Sequence, residues 1–235
     1  MDLGKKSAFN SGFPLKIQMR VLITAGATRE FFDPVRFISN PSSGKMGYAI
    51  AAAARERGME VVLVSANVSL PVPAGVDCVP VTTGEEMLRA VRTAFPQCDI
   101  LIKTAAVCDF RPKNYEPHKR KKDGNGMVVE FEPVADILKT VAAEKTPSQT
   151  VVGFAAETQD IETYAQKKLV EKNLDLIAAN LVGRGNVGAF GADDNTIFLL
   201  GHDGFRKVLG PAPKTEIGKS LIREVENFHS KKHTD

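Results

Sequence analysis

Residues 20–58 read RVLITAGATREFFDPVRFISNPSSGKMGYAIAAAARERG, and this stretch decides the fold class. Val21-Leu22-Ile23 is a β-branched and apolar run that ends in Thr24-Ala25-Gly26. Such a run predicts a buried strand that stops at a glycine. Tyr48-Ala49-Ile50 and the alanines after it predict a helix. Between them lies a long polar loop that closes on Ser42-Ser43-Gly44-Lys45-Met46-Gly47. A strand, a loop and a Gly/Ser-rich helix start form a phosphate-binding corner, because unpaired backbone N–H groups and the helix dipole face an anion there. The plainer alternative is a helix that merely begins with small residues. Two standard fingerprints fail. A dinucleotide site needs G-x-G-x-x-G directly between strand and helix, and only Gly26 follows this strand. A Walker A loop needs a glycine and a Ser/Thr where Ser39 and Met46 stand.

Outward from this corner, apolar runs alternate with helical patterns. Strands are predicted at 60–65, 77–81, 99–103 and 151–154, and at 174–179 stopping on Asn180. Helices are predicted at about 84–95, 135–143, 161–173 and 214–228. Residues 127–131 alternate like an edge strand, and 196–200 with 205–209 flank a His202-Asp203-Gly204 turn as a hairpin. The fold expected is a three-layer αβα, Rossmann-like, mostly parallel sheet with a C-terminal antiparallel hairpin. Small or polar residues end several strands: Gly26, Ala105-Ala106, Ala155-Ala156 and Asn180. Ligands bind outside the carboxyl ends of such sheets. One domain over 20–229 is expected, with a loose arm at 1–19 and a tail at 230–235.

The chain has 235 residues, 43% hydrophobic and 25% charged, which suits one large globular domain. A net charge of +3 gives no case for a nucleic-acid binder. No apolar run could span a membrane, and the N-terminus lacks the apolar core of a signal peptide. Cys78, Cys98 and Cys108 have no metal-ligand spacing, so reduced thiols in the cytoplasm are expected. Residues 110–126 are prolyl, basic and glycyl. They read either as a solvated loop or as a mobile lid that brings lysines to a phosphate.

The string AGATREFFDPVRFISNPSSGKMG at 25–47 resembles the signature of phosphopantothenoylcysteine synthetases of bacterial type. The resemblance continues through TAAVCDFRP, PHKRKK, VVGFAAET and the Asn-rich segment at 173–195, and so covers nearly the whole chain. It implies a ligase that joins 4'-phosphopantothenate and L-cysteine through an acyl-nucleotide, releasing pyrophosphate. It also implies CTP (ATP in eukaryotic members) with Mg2+, a homodimer, and a flavin-dependent decarboxylase fused or separate. No flavin is expected in this chain, nor a nucleic-acid or membrane partner.

Residue by residue, the resemblance makes Asn40 the amide that orients the acyl-nucleotide, Arg36 a residue of the second half-reaction and Lys119 the lid cation facing pyrophosphate. Ala106 becomes a backbone contact, with Ala105 beside it and Asn180 on the substrate side. Ser42, Ser43, Gly44, Lys45 and Gly47 become phosphate donors, and Asp109 a partner of the nucleotide and its cation. Ala135, Asp136, Ile137, Leu138, Phe154, Lys168 and Lys172 match nucleotide-contact positions. Without the resemblance, Asn40 reads as a turn residue, Arg36 as a surface ion pair and Phe154 as core, while Asp109 reads equally as a turn former before Phe110 or as a partner of the nucleotide and its cation. Lys168 and Lys172, four apart on one helix, repel unless an anion lies between them. Two positions depart from the family: Leu181 stands where an aspartate is common, and Cys108 where a smaller residue is. A dehydrogenase on the same sheet is the alternative, but Ala66-Asn67 follows the second strand where an acidic residue is needed.

Overall fold

A computed structural model describes residues 18–122, 124, 126–182, 192–202 and 204–233. Most of the expected arm, the lid positions Asp123 and Asn125, residues 183–191 of the Asn-rich segment, the turn residue Asp203 and the last two tail residues lie outside them.

The first strand is β1 (Arg20–Gly26), followed by β2 (Arg29–Phe31), β3 (Phe37–Ser39) and helix α1 (Lys45–Glu56). Then come β4 (Glu60–Ala66), β5 (Asp77–Val81), α2 (Gly84–Ala94), β6 (Ile100–Lys103), β7 (Phe110–Pro112) and β8 (Phe131–Pro133). The chain continues through α3 (Ile137–Ala143), β9 (Thr150–Glu157), α4 (Ile161–Glu171), β10 (Leu176–Leu181), β11 (Asp194–Gly201), β12 (Arg206–Pro213) and α5 (Lys214–Lys232).

Eight strands form the main sheet in the order β12-β11-β10-β9-β6-β1-β4-β5. From β5 to β10 every pair is parallel, and β11 and β12 add an antiparallel edge. The chain winds outward from β1 through β4 to β5, then returns to place β6 on the other side of β1. The strand order therefore reverses between β1 and β6, and the loops leaving those two strands must part and open a crevice.

Alternation along β1 feeds two cores. Val21 and Ile23 face α1 and α5 with Ile50, Leu63, Ile217 and Leu221. Leu22 faces α2, α3 and α4 with Met87, Val91, Leu138 and Leu169. Each such side chain, fully buried, stabilises by about 1.5–3 kcal/mol relative to exposure. Helix starts are fixed locally: Thr83 and Glu86 form a capping box on α2, and Asp136 accepts from the Lys139 amide at 3.0 Å to cap α3.

Three expectations need correction. The strand expected at 127–131 is instead β8, which pairs antiparallel with β7 outside the main sheet. Val128 is 91% exposed, so its alternation has no sheet face to bury against. The 27–43 loop is not irregular throughout, because β2 and β3 form a small hairpin within it. The tail expected from Ser230 is helical through Lys232, the last turn of α5.

Candidate active site

The crevice between β1 and β6 opens into a cleft of about 410 Å³, within the range of small-ligand sites. Its floor is continuous backbone. Past the strand ends, the Ala106 amide donates to Gly26 O at 2.9 Å and the Thr28 amide to Ala106 O at 3.3 Å. One wall is the N-terminus of α1. Gly44, at φ +78°, precedes the helix and no side chain caps it, and the first turn at 44–47 lines the cleft with its N–H groups at the positive end of the helix dipole.

Glycines let this helix sit close. A Cβ on Gly47 would lie 2.6 Å from Ala25 Cβ and 2.7 Å from Thr104 Oγ1. A Cβ on Gly26, at φ +86°, would strike Ala66 O at 2.0 Å, and one on Gly44 would lie 3.3 Å from the Gly26 amide nitrogen. Gly26, Gly44 and Gly47 therefore do in space what a contiguous glycine fingerprint does in sequence: a tight turn, close approach to the anion, and close helix–strand packing. The β2–β3 hairpin is the chain inserted between the first and the second.

Many of the expected residues meet here. Asn40, Ser42, Ser43, Gly44, Lys45 and Gly47 arrive from the loop and α1; Ala105, Ala106 and Asp109 from the end of β6; Phe154, Lys168 and Asn180 from β9, α4 and β10. The Asn40 amide donates to Val107 O at 3.2 Å and Ala106 O at 3.4 Å, so it pins the β6 extension to the loop. Lys45 pairs with Asp193 at 2.7 Å, which holds that carboxyl below its ordinary range.

Other expected residues stand elsewhere. Arg36 forks onto buried Asp33 and donates to Arg120 O at 3.1 Å, away from the cleft wall. With the Val35 and Arg36 amides added, it holds the Asp33 carboxyl well below the usual carboxylate range. The lid segment rests on the same turn, where the Glu116 amide donates to Phe32 O at 2.9 Å. Lys119 is exposed and does not line the cleft. Ile137 and Leu138 are core side chains, only 2% and 4% exposed, so they could offer a nucleotide little beyond backbone. Ala135 precedes α3 off the cleft wall.

Lys168 and Lys172 each have a carboxylate partner of their own. Lys168 pairs with Glu157 at 2.6 Å and Lys172 with Asp136 at 2.8 Å. Burial raises the Asp136 carboxyl, but the Lys139 amide and the Lys172 ammonium outweigh it and leave it lowered. Lys103, Thr104, Asn195 and Lys214 also line the cleft, and no motif marks them as site residues. Lys103 looked like a polar strand end, and Asn195 and Lys214 come from β11 and α5, remote in sequence. The signal available was position: Lys103 and Thr104 directly precede Ala105-Ala106.

Among the described residues no cluster of three or more His, Cys, Asp or Glu could hold a metal. The carboxylate on the cleft wall is Asp109. That fits a Mg2+ that arrives with phosphates and keeps its waters, since such ions take one or two protein carboxylates; it does not fit a resident metal cage.

A family model described as DNA/pantothenate metabolism flavoprotein C-terminal domain matches residues 17–228. The coenzyme A biosynthesis bifunctional protein CoaBC of Bacillus subtilis (strain 168) is 48% identical over 206 residues, covering 87% of this chain and 50% of that protein. The protein of that name from Escherichia coli (strain K12) is 46% identical over 218 residues, covering 92% and 53%. This chain thus spans about half the length of these curated relatives. A crystal structure of the C-terminal domain of CoaBC matches with a TM-score of 0.78 at 41% identity, covering 91% of this chain and 96% of that one.

Proposed function

The chain belongs to the DNA/pantothenate metabolism flavoprotein C-terminal domain family, and on that premise we propose that it ligates 4'-phosphopantothenate to L-cysteine. The observation that carries the reading is convergence. Asn40, Asp109, Phe154 and Asn180, from four separate segments, share one cleft with an uncapped helix N-terminus.

A carboxylate is a poor electrophile and must be activated first. The phosphopantothenate carboxylate attacks the α-phosphorus of CTP, the bond to pyrophosphate breaks, and an acyl-cytidylate forms. The cysteine amine then attacks the acyl carbon, loses a proton and expels CMP. The N–H groups at 44–47, with Ser42 and Ser43, cradle the phosphates. Asp109 would hold a Mg2+ carried in with CTP, which supplies charge neutralisation on the phosphates. Asn40 orients the acyl-nucleotide and donates to its acyl oxygen as negative charge develops. Lys119 reaches the leaving pyrophosphate once its segment swings from the 32–36 turn, and Arg36, released at the same time, serves the cysteine step.

Phe37, Phe110 and Phe131 are 39%, 54% and 43% exposed on the two small sheets, an apolar face suited to a second copy of the chain. A cytoplasmic setting, with a flavin-dependent decarboxylase consuming the product, completes the reading. No described helix is long and apolar enough to cross a membrane.

The test is pyrophosphate release across a nucleotide panel. The reading expects release that requires phosphopantothenate, is greatest with CTP, and yields phosphopantothenoylcysteine when cysteine is added. Release indifferent to phosphopantothenate overturns the ligase, and equal turnover with ATP overturns the choice of CTP.

A further inference from the structure

We propose that Lys103 is a further nucleotide-binding residue of this cleft, whose ammonium turns from the Ala105 carbonyl to an anionic oxygen of the bound triphosphate. The proposal rests on the ligase reading for the identity of the ligand, and on charge placement for the residue.

Lys103 ends β6, the strand that borders the crevice, and its side chain lines the cleft. Its ammonium donates to Ala105 O at 2.9 Å, and among the described residues no carboxylate lies within 4 Å of it. The charges that face it are Lys172, Asp136, Asp109 and Lys168. Two of these lysines are already matched, Lys172 by Asp136 and Lys168 by Glu157. What remains is Lys103, with no carboxylate within 4 Å, and Asp109, the carboxylate that a Mg2+ entering with the nucleotide would take up. Burial, then the repulsion of Lys172, pulls its pKa down to about 8. A half-buried cation held by one carbonyl is costly, and an apolar side chain of the same length would avoid that cost. An anion repays it, because an ammonium–phosphate contact is charge-assisted and strong in a site shielded from water. Of the ligands proposed here, the nucleoside triphosphate brings the densest charge.

The experiment measures CTP binding by calorimetry, with Mg2+ and without phosphopantothenate, between pH 7 and 9.5. Wild-type affinity should fall as pH rises through about 8, the range in which Lys103 loses its proton. Lys103→Met should bind roughly 10- to 100-fold more weakly at pH 7 and show a flat profile. Lys103→Arg should stay within a few-fold of wild type at pH 7 and also be flat, because guanidinium keeps its charge. Thermal melting should leave the Tm of Lys103→Met unchanged or raised. If Lys103→Met binds CTP like wild type with the same pH profile, the inference falls. It falls equally if Lys103→Arg fails to restore binding, or if the loss appears with phosphopantothenate and not with CTP. A wild-type protein that binds no nucleotide at any pH removes the ligase reading itself, a separate result.

Discussion

Gly47→Ala sets two forces against each other, and the structure says which wins. Gly47 lies inside α1, where alanine is favoured over glycine by about 1 kcal/mol. Propensity alone therefore demands a more stable protein. The added Cβ, however, would meet Ala25 Cβ at 2.6 Å, Thr104 Oγ1 at 2.7 Å and Thr24 O at 3.1 Å. Carbon contacts want about 3.5–4.0 Å, so α1 must retreat by roughly 1 Å. Nothing there can yield cheaply. Ala25 is buried in β1, and Thr104 Oγ1 is tied to Thr24 O at 2.5 Å. Overpacking against so rigid a wall costs about 1–3 kcal/mol, and its upper half outweighs the propensity gain. The expected net loss of about 1–2 kcal/mol lowers Tm by roughly 2–8 °C in a domain of this size. The retreat also draws the α1 N–H groups from the cleft, so CTP affinity should fall with Tm. Gly126→Ala is the control: nothing lies within 4 Å of its Cβ, and Tm should barely move. A rise in Tm for Gly47→Ala would refute the close seating of α1 on β1.

Asn40→Asp should let pyrophosphate form while slowing cysteine attack. Loss of the donor costs about 2.7–4 kcal/mol of barrier, and acyl-cytidylate should accumulate in quenched mixtures; failure to release pyrophosphate gives Asn40 another role. Lys119→Gln should cripple acyl-cytidylate formation but spare turnover of synthetic acyl-cytidylate with cysteine, whereas Lys122→Gln should matter less. Equal losses would make the segment a diffuse charge. Asp33 titrates below its ordinary range because Arg36 holds it, so it stabilises the fold above that range and the contribution fades as pH falls. Asp33→Asn should therefore flatten the acid side of a Tm-against-pH curve between pH 5 and pH 2, and an unchanged slope would refute the linkage. His229 is pushed the other way, lowered by burial and by His233 while its ring nitrogen bonds Thr150 Oγ1 at 2.9 Å. Its proton is taken up more readily on unfolding, so stability should fall as pH drops below the ordinary histidine range, and His229→Gln should weaken that dependence.

The sheet was legible because its central strands are buried on both faces. Val21-Leu22-Ile23 and Ile100-Leu101-Ile102 admit few other readings, and the glycine that stops β1 marks the crevice beside it. The small hairpins were not legible. Three residues such as Arg29-Glu30-Phe31 are too short to show a period, and the residues of β8 look no more strand-like than Met127-Val128-Val129 before them. The cleft was legible where the resemblance carried motifs and opaque where the chain assembles it from afar. Asp136 and Lys172 lie off the cleft wall, paired with each other, and Lys103 carried no motif. Its importance comes from neighbours on α3 and α4, which no local pattern reveals.

Helix α1 is held from behind as well as in front. A Cβ on Gly218 would stand 2.9 Å from the carbonyl carbon and oxygen of Ala49, so α5 packs directly on the backbone of α1. Ile217, Leu221 and Val225 close the same core. On the ribosome, α1 emerges early and α5 only after every strand of the sheet. Until then the α1 face of the nascent sheet is open to solvent and to other chains. Such contacts between distant parts of a chain form late and slow folding. The phosphate corner, which follows the first strand of the sheet in sequence, is thus among the last parts of this domain to set. A substitution at Gly218 that never touches a ligand should lower the yield of folded protein during synthesis more than it lowers the affinity of the molecules that do fold.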